Sequence, residues 1–253
     1  MSPPMIRLSY NDIHKAIQAT APKIKEEFAP NLFIAIGGGG FIPARILRSF
    51  CKTTQDGQKR NIPIQAIGLT LYESLGGVSV PDETLAQASE RGTRFWFSVE
   101  PSPRTRSRSS ATDTSRIEEV AGTEVVRVQW IDFSTLGSKL TGPGGLLGRR
   151  ILIIDEVDDT RTTLVYTVRE LQKDIEKQLA EVADVEERER LRTETKLGIF
   201  VVHNKLKPKA GEIPSDVSYF SAVDTPDVWL AYPWECEDDI DEHDALRSEN
   251  VQP

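Results

Sequence analysis

Residues 151–159 read Ile-Leu-Ile-Ile-Asp-Glu-Val-Asp-Asp, four aliphatic residues running into four carboxylates within five positions. Four aliphatics in a row, with no polar alternation, fit a strand buried on both faces, as in a parallel sheet covered by helices on each side. The acids must then lie where the strand leaves the core. Like charges packed so closely need a cation, hydroxyls or amide donors beside them. Thr160, Thr162 and Thr163 follow. Leu164, Val168, Leu171, Ile175 and Leu179 then recur at helical spacing. The unit is a strand, a polar turn and a helix start, and hydroxyls plus free amides at a helix N-terminus form an anion site. An ordinary turn with Asp159 or Thr160 as N-cap explains one acid or one threonine, but not the whole cluster.

The rest of the chain repeats the alternation. Ile13, Ile17, Ala21, Ile24 and Phe28 predict a helix after Ser9 or Asn11, kinked or broken at Pro22. Leu32 to Ile36 predicts a strand, followed by Gly37, Gly38, Gly39 and Gly40. A helix opens at Pro43 with Ile46, Leu47 and Phe50 on its buried face. Further strands are predicted over 62–71, with Gly68 as a bulge, and over 125–131, 197–202, 219–223 and 228–231. Strands alternating with helices imply an α/β fold with a mainly parallel, doubly wound sheet. Ligands of such sheets bind at the carboxyl ends of the strands.

Four successive glycines let the backbone approach a ligand closely and adopt positive φ. Ile42 stands where a GxGxxG fingerprint needs its last glycine, and no Gly-Lys-Ser/Thr follows. The run therefore matches neither a dinucleotide fingerprint nor a P-loop.

Lys and Arg number 31 against 39 Asp and Glu, a formal charge of −8 over 253 residues. An acidic chain has no general electrostatic footprint for nucleic acid or an anionic membrane, so any phosphate must be captured locally. Cys51 and Cys236 are far apart, and His14, His203 and His243 make no zinc spacing with them. Cys51 reads as a core thiol. With no signal segment and no long apolar run, a cytoplasmic location is expected.

Residues 81–116 hold 12 Ser or Thr, three Pro and six Arg against five acids. Such a segment buries too little apolar surface to offset its ordering entropy, so a disordered insertion is expected. A phosphorylated or nucleic-acid-binding Arg/Ser segment and a translated intron are the alternatives. The stretch 181–194, almost all charged, reads as a solvated extension or loop. The last 19 residues, 235–253, hold eight acids and one Arg, and 236–253 reads as a flexible acidic tail. Residues 1–235 are expected to form one domain around the insertion.

The stretch from Ile151 to Leu164 closely resembles the phosphoribosyl-pyrophosphate (PRPP) motif of type I phosphoribosyltransferases. Residues 34–47 (IAIGGGGFIPARIL), Leu69-Thr-Leu-Tyr-Glu73 and Asp227-Val-Trp-Leu-Ala-Tyr-Pro-Trp-Glu235 narrow the resemblance to 6-oxopurine enzymes of the fungal hypoxanthine-guanine type. It covers nearly the whole chain except 81–116 and the tail. The implied fold is a twisted, mainly parallel sheet flanked by helices, with a small hood region. The implied reaction joins hypoxanthine or guanine to PRPP, giving IMP or GMP and pyrophosphate, with Mg²⁺ as cofactor.

The resemblance also implies roles. Asp155 and Glu156 hold the ribose hydroxyls directly or through Mg²⁺, with Glu235 a further carboxylate at the metal-pyrophosphate end. Asp159, Thr160, Arg161, Thr162 and Thr163 hold the 5′-phosphate, and Asp159 doubles as the general acid/base near purine N7. Arg161 replaces the family's usual glycine and adds charge to the site. Gly37–Gly40 form the pyrophosphate loop, with Gly38–Gly39 as an unusual, often cis, peptide. Trp229 stacks on the purine, the Leu230 backbone reads its exocyclic group, and Lys205, or alternatively His203, holds O6. Tyr72 lies in the lid. Read from the residues themselves, Arg45 and Arg48 are expected in surface or structural ion-pair roles ahead of ligand contact, and Tyr232 and Trp234 mainly in packing. Relatives are commonly dimers or tetramers, so a homo-oligomer is expected. The alternatives are a xanthine-preferring enzyme and a non-catalytic PRPP or nucleotide sensor on the same fold.

Overall fold

The structure is a computed structural model and describes residues 5–53, 57–59, 61–73, 123–136 and 145–249. The insertion at 81–116 lies outside the described residues. The chain divides into a main unit, Met1–Leu71 with Val125–Pro253, and a second unit, Tyr72–Glu124, described only at the strand residues 72–73 and 123–124.

The elements in order are β1 (Met5–Arg7), α1 (Tyr10–Lys23), a π-helical turn (Ile24–Phe28), β2 (Leu32–Ile36), α2 (Phe41–Cys51), β3 (Ile64–Glu73) and β4 (Thr123–Gln129). Then come β5 (Arg150–Asp158), α3 (Thr162–Ala180), α4 (Val185–Glu194), β6 (Lys196–Lys205), β7 (Ser218–Thr225), β8 (Trp229–Ala231) and α5 (Ile240–Ala245). The six-stranded sheet runs β4-β3-β2-β5-β6-β7, and its pairs β2–β3, β2–β5, β5–β6 and β6–β7 are parallel. Strand order reverses between β2 and β5. The connection after β2 leads outward to β3, and the one after β5 leads outward to β6. The carboxyl ends of β2 and β5 therefore flank a topological switch point, where open α/β sheets bind ligands. The glycine run and the acidic cluster sit at those two ends.

Alternation along the strands builds two cores. Ile34, Ile36, Ile151, Ile153, Ile199 and Val201 face Leu164, Val168, Leu171, Ile175 and Leu179 of α3. Phe33, Ala35, Leu152, Ile154, Phe200 and Val202 face Ile13, Ile17 and Ala21 of α1 and Ala44, Leu47 and Cys51 of α2. Burial pushes the Cys51 thiol pKa up to about 12, in keeping with a core thiol. Ser9 caps α1 in a reciprocal box: the Asp12 amide donates to Ser9 Oγ at 3.2 Å and the Ser9 amide to Asp12 Oδ2 at 2.9 Å. Beyond Pro22 the helix widens into the π-turn, which ends at Ala29 with φ 47°. Phe28 lies against Gly198, where a β-carbon would come within 3.0 Å of its ring.

Several expectations need correction. The helix at Pro43 starts two residues earlier, at Phe41, so Pro43 still falls within the first turn, where its missing N–H costs nothing. The charged stretch 181–194 is not one solvated extension. Asp184 accepts from the Glu187 amide at 2.7 Å and caps a separate helix, α4, whose Arg190 pairs with Glu187 and Glu194. The tail is folded through 249: Asp239 caps α5, His243 Nε2 lies 3.1 Å from the Leu8 carbonyl oxygen, and Arg247 pairs with Asp12. Alternation alone did not reveal β1, whose three residues pair in parallel with β8, Met5 opposite Trp229 and Ile6 opposite Leu230.

Candidate active site

Sterics shape the glycine loop. A β-carbon at Gly40 would overlap the Ile154 carbonyl oxygen of β5 and lie 2.7 Å from that of Ile36, so only glycine fits. A β-carbon at Gly39 would overlap the Glu156 carboxyl group. Gly38 turns the chain with φ 91°, and no cis peptide occurs among the described residues. Gly38–Gly39 is therefore not the cis bond expected, because positive φ at a residue without a β-carbon makes the turn by itself.

Asp155 closes the continuous buried run Ile151–Asp155 of β5 and accepts the Glu156 amide at 2.9 Å. Burial, and next the neighbouring Glu156 carboxylate, hold its pKa well above the usual carboxylate range. Glu156 Oε2 is buried without a hydrogen-bond partner among the described residues. Such an atom suits a ligand hydroxyl or a hard cation. Glu235, half-buried and with its carboxyl raised by burial, accepts from the Tyr232 amide at 3.4 Å. No group of three His, Cys, Asp or Glu side chains converges to hold a metal among the described residues, so Asp155, Glu156 and Glu235 do not form one three-carboxylate cluster. Two adjacent carboxylates with an orphaned oxygen still fit Mg²⁺, which usually takes one or two protein carboxylates and completes its shell with water and substrate oxygens.

The turn after β5 opens α3, a 19-residue helix whose N-cap, Arg161, makes no side-chain cap hydrogen bond. Neither Asp159 nor Thr160 is the cap. Thr160 Oγ1 and Thr162 Oγ1 lie 3.0 Å apart, with Thr163 next in the first turn. Hydroxyls and uncapped amides thus collect at one helix N-terminus. Arg161 does not add its charge there. Its guanidinium donates to Asp158 Oδ2 at 2.9 Å and lies over the Tyr219 ring.

Asp159 is gripped by two lysines. Lys205 Nζ lies 3.1 Å from Oδ2 and Lys207 Nζ 2.5 Å from Oδ1. Both also face Asp227, at 3.8 and 3.0 Å. Burial by itself would raise the Asp159 pKa, but hydrogen bonds from Lys207 and Lys205 outweigh it and hold the carboxyl below its usual range. Lys207 escaped the sequence reading, and Asp227 entered it only as the first residue of the aromatic motif, with no role; the signal for Lys207 was the alternation of Lys205, Lys207 and Lys209 off the end of β6.

His203 is buried, and its Nδ1 lies 2.9 Å from the Tyr232 hydroxyl, which itself donates to the Glu156 carbonyl at 3.1 Å. The phenol hydrogen goes to that carbonyl, so Nδ1 is the donor in the other bond. Burial pushes the imidazole down to about 4, leaving it neutral at physiological pH. His203 thus braces Tyr232 through Nδ1. Tyr232 stacks on Trp234, ring centroids 4.8 Å apart. Trp229 is 59% exposed on β8, whereas Leu230 beside it is buried. Arg45 donates to Ser49 at 2.8 Å and Arg48 to Asn61, exposed hydrogen bonds that agree with the surface alternative and not with an ion pair. Tyr72 belongs to the last residues of β3, and its side chain lies outside the described residues.

No family model matches the chain. It is 46% identical over 248 residues to the hypoxanthine-guanine phosphoribosyltransferase of Schizosaccharomyces pombe, covering 97% of this chain and 95% of that one. It is 43% identical over 244 residues to xanthine phosphoribosyltransferase 1 of Saccharomyces cerevisiae, covering 94% and 93%. The hypoxanthine-guanine phosphoribosyltransferase of S. cerevisiae is 40% identical over 236 residues, 91% and 86% of the two chains. Among solved structures, a Neisseria gonorrhoeae protein with bound ppGpp aligns at a TM-score of 0.61 and 30% identity over 98% of each chain. The purine phosphoribosyltransferase of Pyrococcus horikoshii shares the fold at a TM-score of 0.51, 18% identity and coverage of 93% and 97%. With a glycine loop and an acidic strand end meeting at the switch point, and these identities over nearly its whole length, the chain belongs to the purine phosphoribosyltransferases, a family of glycosyltransferases.

Proposed function

We propose that the protein transfers the 5-phosphoribosyl group of PRPP to N9 of hypoxanthine or guanine, giving IMP or GMP and pyrophosphate. The observation that carries this reading is the convergence at the switch point of a side-chain-intolerant glycine loop, an acidic pair and an uncapped helix start. Each suits one part of PRPP. The amides and hydroxyls of 159–163 hold the 5′-phosphate, Asp155 and Glu156 the ribose hydroxyls, and Gly37–Gly40 the pyrophosphate. Anchoring both ends fixes C1 of the ribose for attack. Mg²⁺, held by Asp155 or Glu156, with Glu235 a further carboxylate toward the pyrophosphate, would neutralise the departing pyrophosphate.

Trp229 supplies an exposed face for the purine ring, Leu230 its backbone for the exocyclic group, and Lys205 an ammonium for O6. Lys205 rests on Asp159, so engaging O6 draws it off that carboxylate. Asp159 then keeps Lys207 and becomes more basic as the purine N7 proton must be managed. Tyr72, as part of a lid, would exclude water from the cationic sugar. The reading includes a cytoplasmic homo-oligomer, dimer or tetramer, with 1–235 as one domain. The S. cerevisiae relative named for xanthine favours a second reading, preference for xanthine.

The test is a product assay with purified protein, PRPP and Mg²⁺, offering hypoxanthine, guanine, xanthine or adenine separately. Nucleotide from hypoxanthine and guanine supports the first reading, and nucleotide mainly from xanthine the second. No product with any base would overturn both.

A further inference from the structure

Asp158 is the one acid of the cluster to which the proposed reaction gives no task, yet its side chain is fully buried. Its Oδ2 accepts Arg161 Nε at 2.9 Å and the Tyr219 hydroxyl at 2.7 Å, with Arg161 Nη2 at 2.8 Å. Lys209 Nζ stands 3.4 Å from Oδ1. Arg161, the residue so held, has φ 71°, and it and Ala29 alone among the described non-glycine residues have positive φ. A residue with a β-carbon adopts that conformation only when its surroundings enforce it.

The neighbouring backbone is tied in the same direction. Lys209 Nζ donates to the carbonyls of Asp158 at 2.7 Å and Asp159 at 3.0 Å, and the Ala210 amide donates to that of Thr160 at 2.9 Å. The Arg161 carbonyl accepts the Val165 amide inside α3. Every carbonyl from 158 to 161 is engaged, while the amides of 160–163 make no hydrogen bond with a described residue.

We propose that Asp158 is a positioning residue for phosphate capture. By clamping the Arg161 guanidinium against Tyr219, it locks residue 161 in the left-handed conformation that aims the loop amides at a phosphate monoester. The Asp158–Arg161 pair thus does with side chains what a glycine at 161 does without any. The inference rests on the reading of 159–163 as the 5′-phosphate cradle.

The test is equilibrium binding of IMP and of inosine to the full-length protein and its variants, followed by calorimetry. Inosine lacks only the phosphate. Arg161→Ala keeps the conformational penalty and loses the clamp, and should weaken IMP binding at least tenfold. Arg161→Gly loses the clamp but also the penalty, and should recover most of that loss. Asp158→Asn should weaken IMP binding at least fivefold beside Arg161 and less than twofold beside Gly at 161. Inosine affinity should change less than IMP affinity in every variant. Equal losses for Arg161→Ala and Arg161→Gly would overturn the proposal, as would equal effects of Asp158→Asn in the two backgrounds. If Asp158→Asn fails to fold, the alanine–glycine comparison decides alone. Wild-type protein binding inosine as tightly as IMP would overturn the cradle reading, and the proposal with it.

Discussion

The carboxyl group of Glu156 occupies the space that a side chain on Gly39 would need. The acid end of β5 and the loop after β2 are thus fitted to one another, and glycine is required at two adjacent positions for different reasons. At Gly39 the obstacle is the tip of a flexible side chain; at Gly40 it is the backbone of β2 and β5. Gly39→Ala should therefore leave the melting temperature within a few degrees while lowering kcat/KM at least tenfold. Gly40→Ala should cost about 1–3 kcal/mol of stability through overpacking. Thermal unfolding of the two variants, beside steady-state assays, checks the contrast.

Replacing Asp159 by Asn keeps the shape of the side chain but removes its capacity to take a proton. Turnover should fall on the order of a hundredfold or more, while KM for PRPP changes far less. Turnover at the wild-type rate would remove Asp159 from the chemistry.

Trp229 is mostly exposed, so Trp229→Ala should disturb stability little. Loss of a base–aromatic stack should weaken purine binding by about 1–3 kcal/mol. The expected readout is a rise of about tenfold or more in KM for the base with KM for PRPP nearly fixed. Equal rises in both would assign the residue to packing.

His203 gives a pH signature. Its folded value of about 4 lies below the ordinary one, near 6.5. Between the two, the unfolded chain holds the extra proton, so stability rises with pH across that window. The full contribution is present above about pH 6.5, and on the order of 3 kcal/mol is lost as pH falls toward 4. Urea unfolding at pH 7, 6, 5 and 4.5 should show the slope, and His203→Gln should flatten it.

Chelation tests the metal. EDTA should abolish product formation, and Mg²⁺ should restore it. Activity that survives exhaustive chelation would exclude a role for the ion.

The parts read most directly from sequence were those governed by local periodicity. Leu32–Ile36 and Ile151–Ile154 are strands, as short uninterrupted apolar runs bounded by polar or glycine turns suggest for a doubly covered sheet. Asp155, Glu156 and the threonine turn followed from the same run. What escaped depends on long-range geometry. Lys207, Asp227 and Tyr219 matter through partners from about 20 to 61 residues away, which no spacing rule links. Arg161 looked like added charge because a sequence shows the guanidinium but not the φ that turns it toward Asp158. The three residues of β1 were too few to show alternation. The acidic tail looked unstructured by composition, yet Asp239 supplies a cap and His243 and Arg247 supply contacts.

The pairing of β1 with β8 joins segments more than 220 positions apart. The strand bearing Trp229 is synthesised long after its mate, when α1, α2 and α3 already precede it in the chain. Closing a span of that length early would carry a large entropic penalty, which the prior assembly of the sheet reduces. The strand that bears Trp229 is thus latched by the N-terminal strand. A fusion partner placed close before Met5 would strain that latch, and on the proposed reading of Trp229 it would disturb purine binding more than phosphate binding.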